Sequence, residues 1–334
     1  MTKTGELFGR FAVYEQLGAG GMAVVHRAKW RGIEGFELDL ALKRLRPQLA
    51  GKPDVVAAFV HEAKLSARLQ HNNVARTYEL GKVGETYFIA QELVNGRDVK
   101  TILRRASLAG TRMPLAVVVW LLAELCDALD YTHNRVDDDT GRPLDIVHRD
   151  ISPSNVMMTT TGHIKVIDFG IAEAVIDDTY PARVRGKYGY MSPEALRGER
   201  LDARSDIYSV GVLAYEALIC DRLFTREERE ARKSGERLDP PLPPSLYRAD
   251  CPRELDAIVL RTLTNRRQDR WPSARILRDA LQALAHAAGL KSAASTAAAW
   301  LSELFAEDEE TFTAVEVSEL LAEMSTLVET PPVS

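Results

Sequence analysis

The chain has 334 residues, 46% hydrophobic and 27% charged, with a formal net charge of -5. That balance excludes a disordered or fibrous chain, and no apolar run approaches the ~18 residues a membrane-spanning helix needs. Cys126, Cys220 and Cys251 are odd in number and lack metal-ligand spacing, so they read as reduced thiols, and the N-terminus lacks the apolar core of a signal peptide; a cytoplasmic location is expected.

The charge is unevenly spread. Beyond Lys291 there is no Lys or Arg but nine acids: Glu303, Glu307, Asp308, Glu309, Glu310, Glu316, Glu319, Glu323 and Glu329. Residues 1–291 therefore carry about +4 and the tail -9, which marks a boundary near 291. Nucleic acid is not expected as a partner, because that needs a clustered basic surface.

In chain order, residues 11–45 alternate and punctuate like strands: FAVYEQL, a glycine-rich turn, VVHRAKW, a turn at 31–35, then LDLALKRL. The spacing of Val56, Phe59, Val60, Ala63 and Ala67 predicts a helix over 54–69. Short strands are expected at 75–80 and 86–93. From about 97 the pattern turns helical, with long buried helices at 115–133 and 205–220 and amphipathic ones at 253–263 and 272–286. RVDDDTGRPL at 135–144 reads as a solvated hairpin, and DPPLPPSL at 239–246 as a proline-stiffened loop. The tail offers two acidic helices, 295–305 and 316–327. The class is α+β, a small β-rich half followed by a larger helical one.

Four motifs carry chemistry. LGAGGMAVV at 17–25 sets glycines between two strands, where backbone N–H groups can approach a triphosphate; alone, such a turn is as often a plain hairpin. Leu40-Ala41-Leu42-Lys43 puts a lysine on a buried strand, and Glu62 on the next helix is its candidate partner, with an ordinary surface ion pair as the bland alternative. In HRDISPSN at 148–155, Asp150 could accept a hydroxyl proton and Asn155 could offer an amide oxygen to a hard cation. IKVIDFG at 164–170 ends a strand in the carboxylate of Asp168, beside a glycine. Any one of these means little; four in this order and spacing are specific.

With those residues in view, the chain resembles the bacterial eukaryotic-like (Hanks-type) serine/threonine protein kinases over about 11–286. The resemblance implies a bilobal protein-kinase fold, with a domain at 11–290 (N-lobe about 11–94, C-lobe about 95–290) and an acidic, partly helical tail at 291–334. It implies ATP and Mg²⁺ as cofactors and transfer of the γ-phosphoryl group to protein Ser/Thr hydroxyls. Lys43 would position phosphates, Glu62 would hold Lys43, Asp150 would orient the acceptor, and Asn155 and Asp168 would hold the metal. Leu17, Gly18, Ala19, Gly20, Gly21, Met22, Ala23, Val24 and Val25 would cover the nucleotide. Ala41 and Met157 would sandwich the adenine, with Gln91 as gatekeeper and Glu92 and Val94 as hinge. Glu194 of SPE should pair with Arg270, and Asp206 should anchor a helix. Partners would be protein substrates, and a second copy if the chain phosphorylates itself.

The chain departs from the family pattern at three positions. Ala23 stands for the third glycine. Ser152 stands where serine/threonine kinases carry a phosphate-contacting lysine, and Lys187 where they carry a threonine. The expectation is that lysine and hydroxyl have exchanged sides, so that Lys187 delivers the catalytic charge. Thr179 is the expected autophosphorylation site. The acidic tail is a candidate partner for the basic run at 182–187, but a solvated tail, or a helix docked by Trp300 onto the helical lobe, is the favoured reading. The rival reading is a pseudokinase scaffold; it would be expected to lack Lys43, Asp150 or Asp168, all of which are present. A small-molecule kinase is the third reading, and the SPE segment argues against it.

Overall fold

The computed structural model describes residues 5–169, 188–234 and 239–306. The first half is a six-stranded antiparallel sheet in the order β1-β2-β3-β4-β6-β5. Its strands are β1 (Glu6–Phe8), β2 (Phe11–Ala19), β3 (Ala23–Arg31), β4 (Glu37–Leu45), β5 (Thr77–Val83) and β6 (Thr86–Glu92). Strand alternation sorts the side chains of β4 onto two faces. Leu40 and Leu42 pack with Phe11, Val13, Ala28, Phe88 and Ala90. The opposite face carries Ala41, Lys43 and Leu45, so Lys43 projects the same way as a core residue. There Leu45 joins Met22, Ala23, Leu49, Ile89 and the buried stripe of helix α1 (Pro53–Ser66): Val55, Ala58, Phe59 and Ala63. A proline at the first helical turn, with Asp54 beside it, starts α1 where no backbone N–H partner is needed and negative charge is favourable.

The second half holds a small sheet, β7 (Gly96–Asp98), β8 (Val156–Thr159) and β9 (Ile164–Val166). Around it stand helices α2 (Val99–Leu108), α3 (Leu115–His133), α4 (Pro193–Leu196), α5 (Ala203–Ile219), α6 (Arg226–Lys233), α7 (Arg253–Thr262), α8 (Ala274–Ala287) and α9 (Ala294–Leu304). Helix α5 is buried on every side from Ser205 to Leu218, as expected for an element that is apolar all round. Gly211 lets α7 approach it, since a Cβ there would sit 1.8 Å from Thr262 Oγ1. The two halves meet at Asn73, whose amide donates to Glu124 and to the Ile164 carbonyl, both at 2.8 Å. Leu65, in the last turn of α1, and Leu69 and Val74, just past it, already pack into the C-lobe core. Among the described residues no helix is long and apolar enough to cross a membrane.

The structure departs from the expectations at one boundary. Helix α9 forms where the first tail helix was expected, docked on the helical lobe, but the boundary near 291 does not separate it from the domain. Ala297, Leu301, Leu304 and Phe305 belong to the C-lobe core, so the change in charge near 291 is not a change in packing. Gly162, at φ 79°, makes this docking feasible, because a Cβ there would meet the Ala294 carbonyl oxygen at 1.9 Å. The expected solvated hairpin at 135–144 is present: Val136 and Pro143 bridge it, residues 138–143 are exposed, and an Arg68–Asp137 ion pair ties it to the segment after α1. The second expected tail helix, 316–327, lies outside the described residues.

Candidate active site

Three elements bring the site together. Strand β4 carries Lys43, α1 carries Glu62, and the segment after β9 carries Asp168. Lys43 Nζ donates to Glu62 Oε1 at 2.6 Å and to Asp168 Oδ1 at 2.8 Å, with Lys43 and Glu62 both buried. Burial opposes the lysine's charge, but the Asp168 and Glu62 carboxylates outweigh it and raise the ammonium's pKa well above its ordinary value. Lys43 is therefore a fixed cation held between two lobes. It can move no proton near neutral pH; it can only position and neutralise an anion.

The loop between α3 and β8 provides the second half of the site. Asp206, at the start of α5, is fully buried and accepts the backbone N–H groups of His148 (2.8 Å) and Arg149 (2.9 Å) while bonding His133 Nε2 (2.8 Å). Burial opposes its ionisation, yet the hydrogen bond and charge from His133, helped by His148, hold its carboxyl below the usual range. This anchor keeps Arg149 at φ 69°, a conformation that costs a non-glycine residue about 1 kcal/mol or more. The strained turn presents Asp150. Asn155 closes the loop: its amide nitrogen donates to the Asp150 carbonyl at 2.8 Å and also to the Asp150 carboxylate. The His148 ring packs against Phe169, centroids 4.5 Å apart, which ties the Asp150 loop to the Asp168 segment. Asp168 is itself at φ 51°.

Asn155 spends its amide nitrogen on Asp150, so its oxygen is the group left to offer a cation. With Asp168 it gives two hard oxygen donors. Among the described residues no group of three or more His, Cys, Asp or Glu forms a metal cage. Such a sparse donor set suits Mg²⁺, which keeps waters and shares substrate phosphates, rather than a structural metal.

Over the cleft, the turn between β2 and β3 is closed by Gly20 N–H to the Ala23 carbonyl (2.7 Å) and is tied to the end of β4 by Arg46 N–H to the Met22 carbonyl (2.7 Å). Leu17 and Ala19 are exposed, and a Cβ on Gly18 would meet nothing within 4 Å, so this strand end is open. Met22, in the turn, and Ala23, the first residue of β3, differ from the rest: their side chains are buried in the core against α1, and only their backbone is left for a ligand. Ala41, Gln91 and Met157 are partly buried; Ala41 pairs with Gln91 across β4 and β6.

Glu92 holds a contact that the sequence did not signal. Its carboxylate pairs with Lys165 at 2.8 Å and accepts the Arg76 N–H at 3.1 Å, joining the end of β6 to β9. No local spacing relates residues 92 and 165. Ser152 is buried, 3.4 Å from the Ser154 hydroxyl. Gly170, Thr179 and Lys187 lie outside the described residues, as does the run 182–187. The expected Glu194–Arg270 pair is present and bidentate, at 2.6 and 2.7 Å. Burial opposes the Glu194 charge, but the Arg270 fork holds the carboxyl at about 2.

A curled sheet over a helical lobe, with a lysine gripped by two carboxylates at their junction, defines a bilobal kinase-type scaffold, and solved structures agree. The PknI kinase domain of Mycobacterium tuberculosis superposes with a TM-score of 0.63 at 27% identity, over 84% of this chain and 98% of that one. The family model for the protein kinase domain matches residues 11–282, and the chain belongs to that family. It is 40% identical over 277 residues to the tyrosine-protein kinase MasK of Myxococcus xanthus, covering 82% of this chain and 43% of that protein. It is 33% identical over 286 residues to the serine/threonine-protein kinase PknB of M. tuberculosis, covering 83% of this chain and 43% of that protein. The chain thus spans less than half the length of these curated relatives.

Proposed function

We propose that this chain transfers the γ-phosphoryl group of ATP to serine or threonine hydroxyls of proteins. The observation that carries the reading is the Lys43–Glu62–Asp168 cluster facing an Asp150–Asn155 pair, which puts a fixed cation and two metal-ready oxygens beside a carboxylate that can take a hydroxyl proton. In this reading Lys43 grips phosphate oxygens and Glu62 keeps it aimed. Asp150 orients the acceptor hydroxyl and accepts its proton. Asp168 and Asn155 would hold Mg²⁺, whose contribution when bound is to neutralise charge on the phosphates. The open end of β2 covers the nucleotide, and Ala41 and Met157 flank its base. All the groups a pseudokinase would be expected to lose are in place, which favours catalysis over a scaffold.

Ser152 bears on the acceptor. The lysine usual in serine/threonine kinases is absent, and the 40% identical relative MasK is named a tyrosine-protein kinase. Tyrosine is therefore the second reading. PknB-type relatives and the general motif pattern favour Ser/Thr.

Asp150→Asn and Lys43→Ala should each lower radiolabel transfer from ATP to a protein substrate at least ~10²-fold, about 2.7 kcal/mol of barrier, with the fold intact by circular dichroism. Unchanged transfer by folded Asp150→Asn enzyme overturns the assignment. Hydrolysis of the labelled product to its phosphoamino acids separates the readings: phosphotyrosine alone selects the second.

A further inference from the structure

We propose that the basic face formed by β7 and α2 is the docking surface for the chain's own acidic run, Glu307-Asp308-Glu309-Glu310. The face consists of Arg97, Lys100 and Arg104, all exposed, with Arg105 at its inner edge. Residues 100 and 104 are one helical turn apart, so their charges share a side of α2. Among the described residues no carboxylate pairs with Arg97, Lys100 or Arg104, and the neighbouring Asp98 is engaged as the cap of α2, accepting from Thr101 N–H at 2.9 Å. Three exposed cations within eight residues of chain thus have no carboxylate partner among the described residues. Like charges so placed repel one another and are relieved by an anion brought among them.

Helix α9 delivers that anion. Its last carbonyls point at the same face: Arg105 Nε donates to the Leu304 oxygen at 3.2 Å, and the Arg97 guanidinium lies 5.5 Å from the centre of the Phe305 ring. The next residue but one is Glu307, the first of four consecutive acids. A chain advances at most ~3.6 Å per residue, so the run cannot leave the neighbourhood of Arg97 and is held there at high effective concentration. Four acids directly after a helix C-terminus are also placed badly for the helix dipole, whose negative end repels them; cations gathered at that end offset the clash. The occupant is this segment of the same chain, selected by charge and by tether length. The inference does not depend on catalysis.

A zero-length carbodiimide cross-link between amine and carboxylate tests it on the full-length chain. The Lys165–Glu92 and Lys29–Glu37 pairs, each 2.8 Å apart, are internal positive controls. The expected result is an intramolecular link from Lys100 to the run 307–310 in the monomer band. It should fall at least ~5-fold in Arg97→Glu/Arg104→Glu and by a similar factor when salt rises from about 0.05 to about 0.5 M, where screening is short-ranged. The salt arm needs no variant, so a misfolded double variant leaves the test standing. Three results overturn the proposal: control links without a Lys100 link, a Lys100 link indifferent to salt, or a Lys100 link confined to dimers. The last would assign the face to a second copy.

Discussion

Glu194 and Arg270 show how far a buried ion pair can be trusted as a structural device. The pair is 76 residues apart in sequence, and Arg270 also donates to the carbonyls of Thr264, Arg204 and Asn265, which leaves no N–H group stranded on its fork face. Arg270→Ala should cost about 3–5 kcal/mol in urea unfolding, because an uncompensated buried carboxylate remains. The pH dependence follows from the depressed carboxyl. Its contribution is fully present above the ordinary value of 4.5 and is lost as pH falls through about 2. The gap in stability between parent and Arg270→Ala should therefore shrink as pH falls below about 5. A gap independent of pH down to 2 would show that packing, not charge, accounts for the loss.

The three thiols differ for the same reason that buried charges do. Cys126 is fully enclosed, and burial drives its thiol far up; Cys251, beside Asp256, is pushed up to about 12, with burial the larger cause. Only Cys220 reaches solvent. Native protein should react with a thiol reagent at one site, mapped by mass spectrometry to Cys220, and at all three when unfolded. Rapid labelling of Cys126 would mean that α3 opens readily.

At the scale of elements, α9 is held by a close approach that only glycine permits. Gly162 sits in the turn between β8 and β9, and the Trp120 indole donates to its carbonyl at 2.9 Å. Gly162→Ala meets two penalties, a left-handed φ and a Cβ directed at the Ala294 carbonyl. A loss of about 2–4 kcal/mol is expected, combining strain with partial loss of helix packing. Hydrogen exchange should rise first across 294–304, ahead of the β8–β9 turn. Equal exchange in parent and variant would show that the turn relaxes without releasing the helix.

At the scale of the whole molecule, two ways of placing the C-terminal boundary make opposite forecasts. Charge places it near 291; packing carries the core at least as far as Phe305. Ending the chain after residue 290 strips Ala297, Leu301, Leu304 and Phe305 from the core and uncovers α2 and α3. At about 1.5–3 kcal/mol per large apolar side chain, the loss is on the order of 5 kcal/mol, enough to unfold or aggregate a marginally stable domain. Ending it after residue 306 keeps all four of these core residues. Its midpoint in chemical denaturation should lie close to that of the full chain. Equal stability of the two truncations would return the boundary to 291.

By itself the sequence determined the glycine-rich loop, the lysine strand, the Asp150 loop, the order of lobes and the main helices. It also determined the Glu62–Lys43 and Glu194–Arg270 partnerships, because motif order supplies long-range pairings that periodicity cannot, whereas the partners of Asp206 came only from the structure. Only the tertiary structure decided that Lys43 is shared with Asp168, that Glu92 pairs with Lys165, and that Asn73 joins the lobes. Each of these depends on segments far apart in sequence meeting in a register that no local pattern encodes. It likewise decided that Met22 and Ala23 face the core, since a glycine-rich turn does not say which way its side chains fold. Helix α9 shows the limit most plainly. Its acids announced a tail, but the free energy of burying Leu301, Leu304 and Phe305 on one face outweighs net charge, and burial, not composition, sets where a domain ends.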